Sequence, residues 1–376
     1  MQVTEIQAKS ILRISKKIDS WFVSRYHLNL YRGCAHNCLY CDGRAEKYSV
    51  EGEFGRDVAV KTNAVEVLAR ELDAGWRRKP LPAGFVCFGG GVGDAWQPAE
   101  EKYRLARRAV ELLADTGRPV HALTKSTLVE RDFDALEKIN RSSRVLLSMS
   151  FSSVDPGLSA LLEPGVPLPA ERLRVLCEAK KRGIPCGMFL MPVVPFLTDA
   201  AETIREAVRS AKENGLDYVV FAGMTLKPGR QTDYFLSKIA ARDQSLPGKF
   251  RELYANAGPY GQAPAAYDSL ISHRFFEACR EYKMPVRIPD ALFKDVVARD
   301  DFIVCLLEQI DYMLFLRGRK SGLGYAAYRL SQAGKPLADL ADAPISGANT
   351  LARKLLKEII ETGGTETYSR LMSFEE

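Results

Sequence analysis

A chain of 376 residues with 46% hydrophobic content can bury a large core and carry a smaller appendage. The 53 Lys and Arg against 47 Asp and Glu leave a formal charge of +6, mild enough to suit a nucleic acid, a nucleotide or many small molecules. The length and the opening MQVTEIQAKS argue against an oxidised disulfide scaffold and a secretory leader, and no apolar run approaches a membrane span, so a reducing cytoplasm is expected.

In chain order, residues 1–20, with Lys9, Arg13, Lys16 and Lys17, read as an N-terminal extension. Over 21–245, strand-like apolar runs alternate with helical stretches. The strands are predicted in YHLNLY (26–31), GFVCFG (84–89), PVHALT (119–124), RVLLSMS (144–150), PCGMFLM (185–191) and DYVVFAG (217–223). Helices are predicted near 63–73, 98–115, 130–139, 170–183 and 199–214, with Asp199 as a cap and Gly183 and Gly215 as helix ends. Six such units predict an α/β fold, a partial (β/α)6 TIM-like barrel, with its site at the carboxyl edge of the strands. The Gly-, Pro- and Tyr-rich segment 246–268 reads as a loop or lid. Helices near 265–282, 291–314 and 350–361 and a short strand at 284–288 follow, so 246–376 is assigned to a mostly helical C-terminal extension or lid. The stretch Arg317 to Lys320 is a second local basic feature.

Chemistry concentrates in YRGCAHNCLYCDGR, where Cys34, Cys38 and Cys41 lie within eight residues. Three thiolates so spaced can hold three irons of a [4Fe-4S] cube and leave the fourth open to the amino and carboxylate groups of S-adenosyl-L-methionine. A closed zinc site is the competing reading, with His36 as the fourth ligand, although zinc sites more often use two separated ligand pairs. Cys87, Cys177, Cys186, Cys279 and Cys305 are scattered singly, and Cys87, Cys186 and Cys305 sit in apolar runs as small core residues.

Further candidates follow the strands. Gly89, Gly90 and Gly91 allow close backbone approach to the methionine end of the cofactor. Asp94 is a candidate contact for cofactor or substrate, and Trp96 either stacks or packs. Lys125 is a candidate partner of the cofactor carboxylate. Ser148 and Ser150 share one strand face, within reach of ribose or carboxylate, and Tyr40 is a candidate neighbour of the adenine. Tyr254, Tyr260 and Tyr267 are candidates to line or close the cavity.

The cysteine loop, with TKS at 124–126, the SFSSVDP region and LEPG at 162–165, resembles the spore photoproduct lyase-like branch of the radical S-adenosylmethionine superfamily over most of residues 20–230. The resemblance implies a partial (β/α)6 barrel, cluster ligation by Cys34, Cys38 and Cys41, and methionine-amine binding by the Gly89 to Gly91 turn. It also implies cofactor contacts from Lys125 and Ser150, and a 5'-deoxyadenosyl radical that removes hydrogen from substrate. In that family a hydrogen-donating cysteine follows the second strand, whereas this loop reads GGGVGDAWQP. The expected protein is therefore a radical enzyme of unidentified substrate, supplied with electrons by a reductant such as flavodoxin or ferredoxin. A DNA-lesion lyase and a non-catalytic cluster protein that binds nucleic acid are the alternatives.

Overall fold

Strands that are apolar on both faces belong in the middle of a sheet covered by helices, and here they are parallel. The computed structural model describes residues 2–48, 52–76, 79–89, 92–340 and 349–375. Its strands are β1 (Gln2–Ile6), β2 (Leu12–Asp19), β3 (Ser24–Leu28), β4 (Tyr31–Arg32), β5 (Asp57–Lys61), β6 (Phe85–Phe88), β7 (Val120–Thr124), β8 (Val145–Phe151), β9 (Cys186–Val193) and β10 (Tyr218–Gly223). Seven of them form one sheet in the order β10-β9-β8-β7-β6-β3-β2. All neighbours in it are parallel except β2, which runs antiparallel to β3 at the edge. This is the expected partial barrel, with β2 as an added edge. The remaining three strands make a small sheet in the order β1-β5-β4. The run YHLNLY therefore divides: β3 ends at Leu28, and Tyr31 pairs with Val60 of the small sheet.

The helices are α1 (Ala64–Leu72), α2 (Glu100–Tyr103), α3 (Leu105–Thr116), α4 (Phe133–Ser142), α5 (Pro156–Leu162), α6 (Pro169–Lys181) and α7 (Ala201–Glu213). They continue with α8 (Arg230–Ala240), α9 (Leu246–Leu253), α10 (Ala265–Tyr282), α11 (Arg299–Leu316), α12 (Leu323–Ser331), α13 (Thr350–Thr362) and α14 (Glu366–Met372). The helix expected over 98–115 is broken at Arg104, whose φ of +49° is left-handed. The buried Glu100 carboxylate accepts from the N–H groups of Ala106 and Arg107, satisfying the start of α3. Asp199 caps nothing; its carboxylate accepts from Tyr267 and its carbonyl from Arg274. Gly183 and Gly215 do end their helices, at φ +74° and +67°. Part of the segment read as a loop is α9, which buries Leu246 and Phe250 against Phe235. Residues 284–288 form no strand, yet the carbonyl of Pro285 accepts from Val219 N at 2.9 Å along the open edge of β10. On the other flank α11 packs on β2, and its Gln309 donates to Ser20 O and Ile288 O, bridging the two edges that the barrel leaves apart.

Inside the barrel a polar chain fills the lumen. His121 bonds Phe22 O through Nδ1 and Ser148 Oγ through Nε2, each at 2.8 Å, and Ser148 Oγ meets Tyr218 Oη at 2.8 Å. Tyr218 reaches across Gly187, where any Cβ would collide with its ring. Phe22, from the β2–β3 turn, stacks on Phe189 and closes the floor. Burial pushes the His121 imidazole down to about 4. Because the unfolded chain takes up that proton first, the contribution is present above the ordinary pKa of about 6.5 and is lost as pH falls towards 4. His121 alone should cost about 3 kcal/mol at most over that window. Urea midpoints measured across it should fall less in His121→Gln than in the parent.

Candidate active site

A loop that leaves β4 and carries three cysteines cannot hold its shape by apolar packing alone, so its backbone is tied to three neighbours. The first tie is the turn after α5. Leu39 N donates to Leu162 O at 2.8 Å and Gly165 N to His36 O at 3.0 Å, while His36 Nδ1 meets Gly165 O at 2.9 Å. A Cβ at Gly165 would lie 2.6 Å from His36 O and 2.9 Å from Ala35 O, so only glycine permits this approach. The second tie is the exit of β10. Asp42 is paired with Lys227 and accepts from Thr225 at 2.8 Å, and Gln231 Nε2 donates to Tyr40 O at 2.8 Å. Arg44 extends this side, its guanidinium 3.4 Å above the Tyr234 ring and bonded to Phe54 O.

Asp94 makes the third tie. One carboxylate accepts from Trp96 N at 2.8 Å, Lys125 N at 2.8 Å and Thr124 Oγ1 at 2.7 Å, and faces His36 Nε2 at 3.2 Å. The cysteine loop, the glycine turn and the exit of β7 thus converge on a single buried group. Burial alone would raise this carboxyl, but the His36, Lys125 and Thr124 bonds outweigh it and hold it low. Trp96 packs: it is fully buried, lies against Phe88 and donates to Asp132 at 2.8 Å.

Glu163 is the second buried carboxylate. It accepts from Lys125 Nζ at 2.9 Å, from Arg172 at 2.7 Å and from the Tyr40 hydroxyl. Its burial opposes ionisation, yet Lys125 and Arg172 together hold its pKa down at about 2. Lys125 and Tyr40 are thus brought together under the cysteine loop, with Lys125 Nζ 5.7 Å from the Tyr40 ring centre. The sequence reading included Glu163 in LEPG without giving it a role, and it missed Arg172.

Cys34 and Cys38 are buried and Cys41 is partly exposed. As thiols all three are pushed up, chiefly by burial, with Cys38 at about 12. Among the described residues, no three His, Cys, Asp or Glu side chains converge on one ion position. Gly89 ends β6 at φ +120°, and a Cβ there would lie 2.7 Å from Leu123 O; Gly90 and Gly91 lie outside the described residues. Ser148 is buried in the lumen chain, whereas Ser150 is partly exposed nearer the edge. Two residues beyond Ser150, just past the end of β8, Ser152 Oγ is buried with no partner among the described residues, a group the sequence reading passed over. Cys87, Cys186 and Cys305 are core residues, as expected. Of the three tyrosines, Tyr254 is bonded to Met224 O and Tyr267 to Asp199, while Tyr260 is 68% exposed.

Clefts run beside these groups, and two of them meet. One of about 220 Å³ is lined by Arg13, His27, Gly89 and Asp94. A second of about 540 Å³ runs along β2 beneath α11 and α12, and Ser15 and Asp19 line both. The Glu163 cluster is open to direct test. Glu163→Gln leaves Lys125 and Arg172 without their counter-charge and should cost about 3–5 kcal/mol in denaturant unfolding of the metal-free chain.

Residues 28–207 match the Radical SAM superfamily. An uncharacterized protein of Mycobacterium tuberculosis is 31% identical over 265 residues, 69% of this chain and 75% of that protein. An uncharacterized protein of Methanocaldococcus jannaschii is 25% identical over 239 residues, 63% of this chain and 83% of the relative. Spore photoproduct lyase complexed with dinucleoside spore photoproduct shares the fold, with a TM-score of 0.54 at 15% identity over 74% of this chain and 79% of that one. By the family match over residues 28–207, this chain belongs to the radical SAM superfamily.

Proposed function

We propose that Cys34, Cys38 and Cys41 hold a [4Fe-4S] cluster and that the chain uses S-adenosyl-L-methionine to abstract a hydrogen atom from a substrate at the barrel mouth. The observation that carries this reading is the cysteine loop itself: three thiols at the carboxyl edge of a partial barrel, tied down on both sides. A mononuclear site needs ligands converging on one ion, whereas a cube asks only that each thiolate meet its own iron. Bound there, the pair supplies reductive cleavage of the sulfonium to methionine and a 5'-deoxyadenosyl radical.

The chain's own residues bind and orient. Lys125, steadied by Glu163, offers an ammonium for the cofactor carboxylate, a charge-assisted contact. Gly89 lets backbone groups approach the methionine amine, and Tyr40 borders the adenine. Ser150 and the unpartnered Ser152 Oγ are better disposed towards ribose than Ser148, whose hydroxyl is engaged by His121 and Tyr218. Asp94 acts at one remove, by positioning the three loops rather than by touching ligand. Electrons come from a small reductant of the flavodoxin or ferredoxin kind.

The shared fold favours a lyase acting on damaged nucleic acid as the substrate reading, since the matched lyase is complexed with a dinucleoside lesion. The turn after β6 contains no cysteine, so a product radical would need its returning hydrogen from elsewhere. Cys87 is fully buried inside the strand and unsuited to that task.

Anaerobically reconstituted protein should form 5'-deoxyadenosine from S-adenosyl-L-methionine and a reductant, and Cys38→Ala should form none. Stoichiometric zinc with no reducible cluster would overturn the reading. Offered a dinucleoside spore photoproduct, the parent protein tests the lyase reading directly. Reversion to thymines supports it, and 5'-deoxyadenosine without reversion excludes that lesion while leaving the radical chemistry in place.

A further inference from the structure

We propose that the last turn of α11, α12 and the loop between them form a docking surface for single-stranded nucleic acid, which deepens the substrate side of the proposed function and rests on it. The segment from Tyr312 to Ala338 holds no acidic residue and five cations, Arg317, Arg319, Lys320, Arg329 and Lys335. That is a local charge of +5 in a chain whose total is +6. Arg317 is used internally, donating to Met313 O and Leu371 O over the Phe276 ring. The other four are exposed, and their side chains have no partner among the described residues. Some surface cations elsewhere are paired, as in Arg174 with Glu130, Arg205 with Glu281 and Arg209 with Glu206, and others are not, so what marks this segment is the number of cations without an intervening acid. An unneutralised cluster creates a field that attracts phosphates.

Aromatic rings are interleaved with these charges. Phe315, Tyr325 and Tyr328 are 46%, 59% and 51% exposed. On α12, Tyr325 lies three residues from Tyr328 and four from Arg329, so the three share one helix face. Flat aromatic faces beside guanidinium groups stack unpaired bases while the cations track the backbone. A duplex hides its base faces within the stack, which is why the strand inferred here is single. The patch also has a connection to the barrel. Phe315 and Gly324 line the larger cleft, which meets the smaller one at Ser15 and Asp19, and the smaller one reaches Gly89. The connecting cleft also carries Asp19, Glu308 and Asp311, so the phosphates of a bound strand stay on the hairpin and the cleft offers a polar path to the barrel mouth for a base alone.

The test is fluorescence anisotropy of a labelled oligothymidylate of about 16 nucleotides with the reconstituted 376-residue chain. Binding should weaken steeply with salt. Converting Arg319, Lys320 and Arg329 together to Ala should reduce the slope of log affinity against log salt by about 2. Converting Tyr325 and Tyr328 together to Ala should weaken binding at least about tenfold, with the Phe pair retaining it. All five side chains are exposed, and thermal melts verify that each variant folds. The inference is overturned if the parent does not bind, if the variants bind as the parent does, or if a duplex of the same length binds more tightly. 5'-Deoxyadenosine formation is measured on the same preparations. Binding without that product would sink the proposed chemistry and leave the docking surface standing; product without binding would do the reverse.

Discussion

The arrangement around the cysteine loop depends on one buried anion. Glu163 lies in a region that penalises charge, and it is tolerated because Lys125 and Arg172 approach it from two elements and the Tyr40 hydroxyl from a third. A pair in that setting adds little net stability compared with well-packed apolar groups, but removing one member strands the others. What the cluster provides is relative position. It locks the turn after α5, the exit of β7 and the residue before Cys41 to one another, so that the loop's outline follows from a charge balance rather than from packing area.

Asp94 performs the corresponding task on the other side, and the two carboxylates act through adjacent residues. Thr124 and the backbone of Lys125 bond Asp94, while the Lys125 side chain bonds Glu163. The exit of β7 is therefore gripped at both of its polar ends, and His36 completes the circuit by joining Asp94 to Gly165. The bonds around Asp94 are matched, the condition under which buried polar networks make a structure specific rather than weak, whereas Arg172 Nε beside Glu163 is buried with no partner among the described residues.

The barrel was legible in the sequence because its strands are apolar on both faces and spaced by helical stretches. Their order needed only the rule that successive parallel units lie side by side. The cysteine loop was legible by spacing alone. What escaped had a different physical origin. β2 is an edge strand with polar residues on its exposed face, so LRISKKID does not read as part of a barrel. α9 spans eight residues, too few for a period to emerge. Asp94 was recognised as polar and near the site, but its consumption by four protein groups depends on which loops meet in space. Arg172 sits on a helix whose periodicity gives no sign that one cation is turned fully inward, since its partner, Glu163, belongs to the preceding turn. Such pairings arise from tertiary contact and leave no local pattern.

The polar chain of His121, Ser148 and Tyr218, floored by Phe22 and Phe189, has a consequence for traffic. It turns the barrel from a tube into a cup, floored at the amino ends of the strands and open at the carboxyl edge. Molecules that enter over that rim cannot pass out through the floor, so arrivals and departures share the carboxyl edge and the side cleft that joins it at Ser15 and Asp19. A polymer resting across the rim would leave that side cleft as the way out for anything smaller released beneath it.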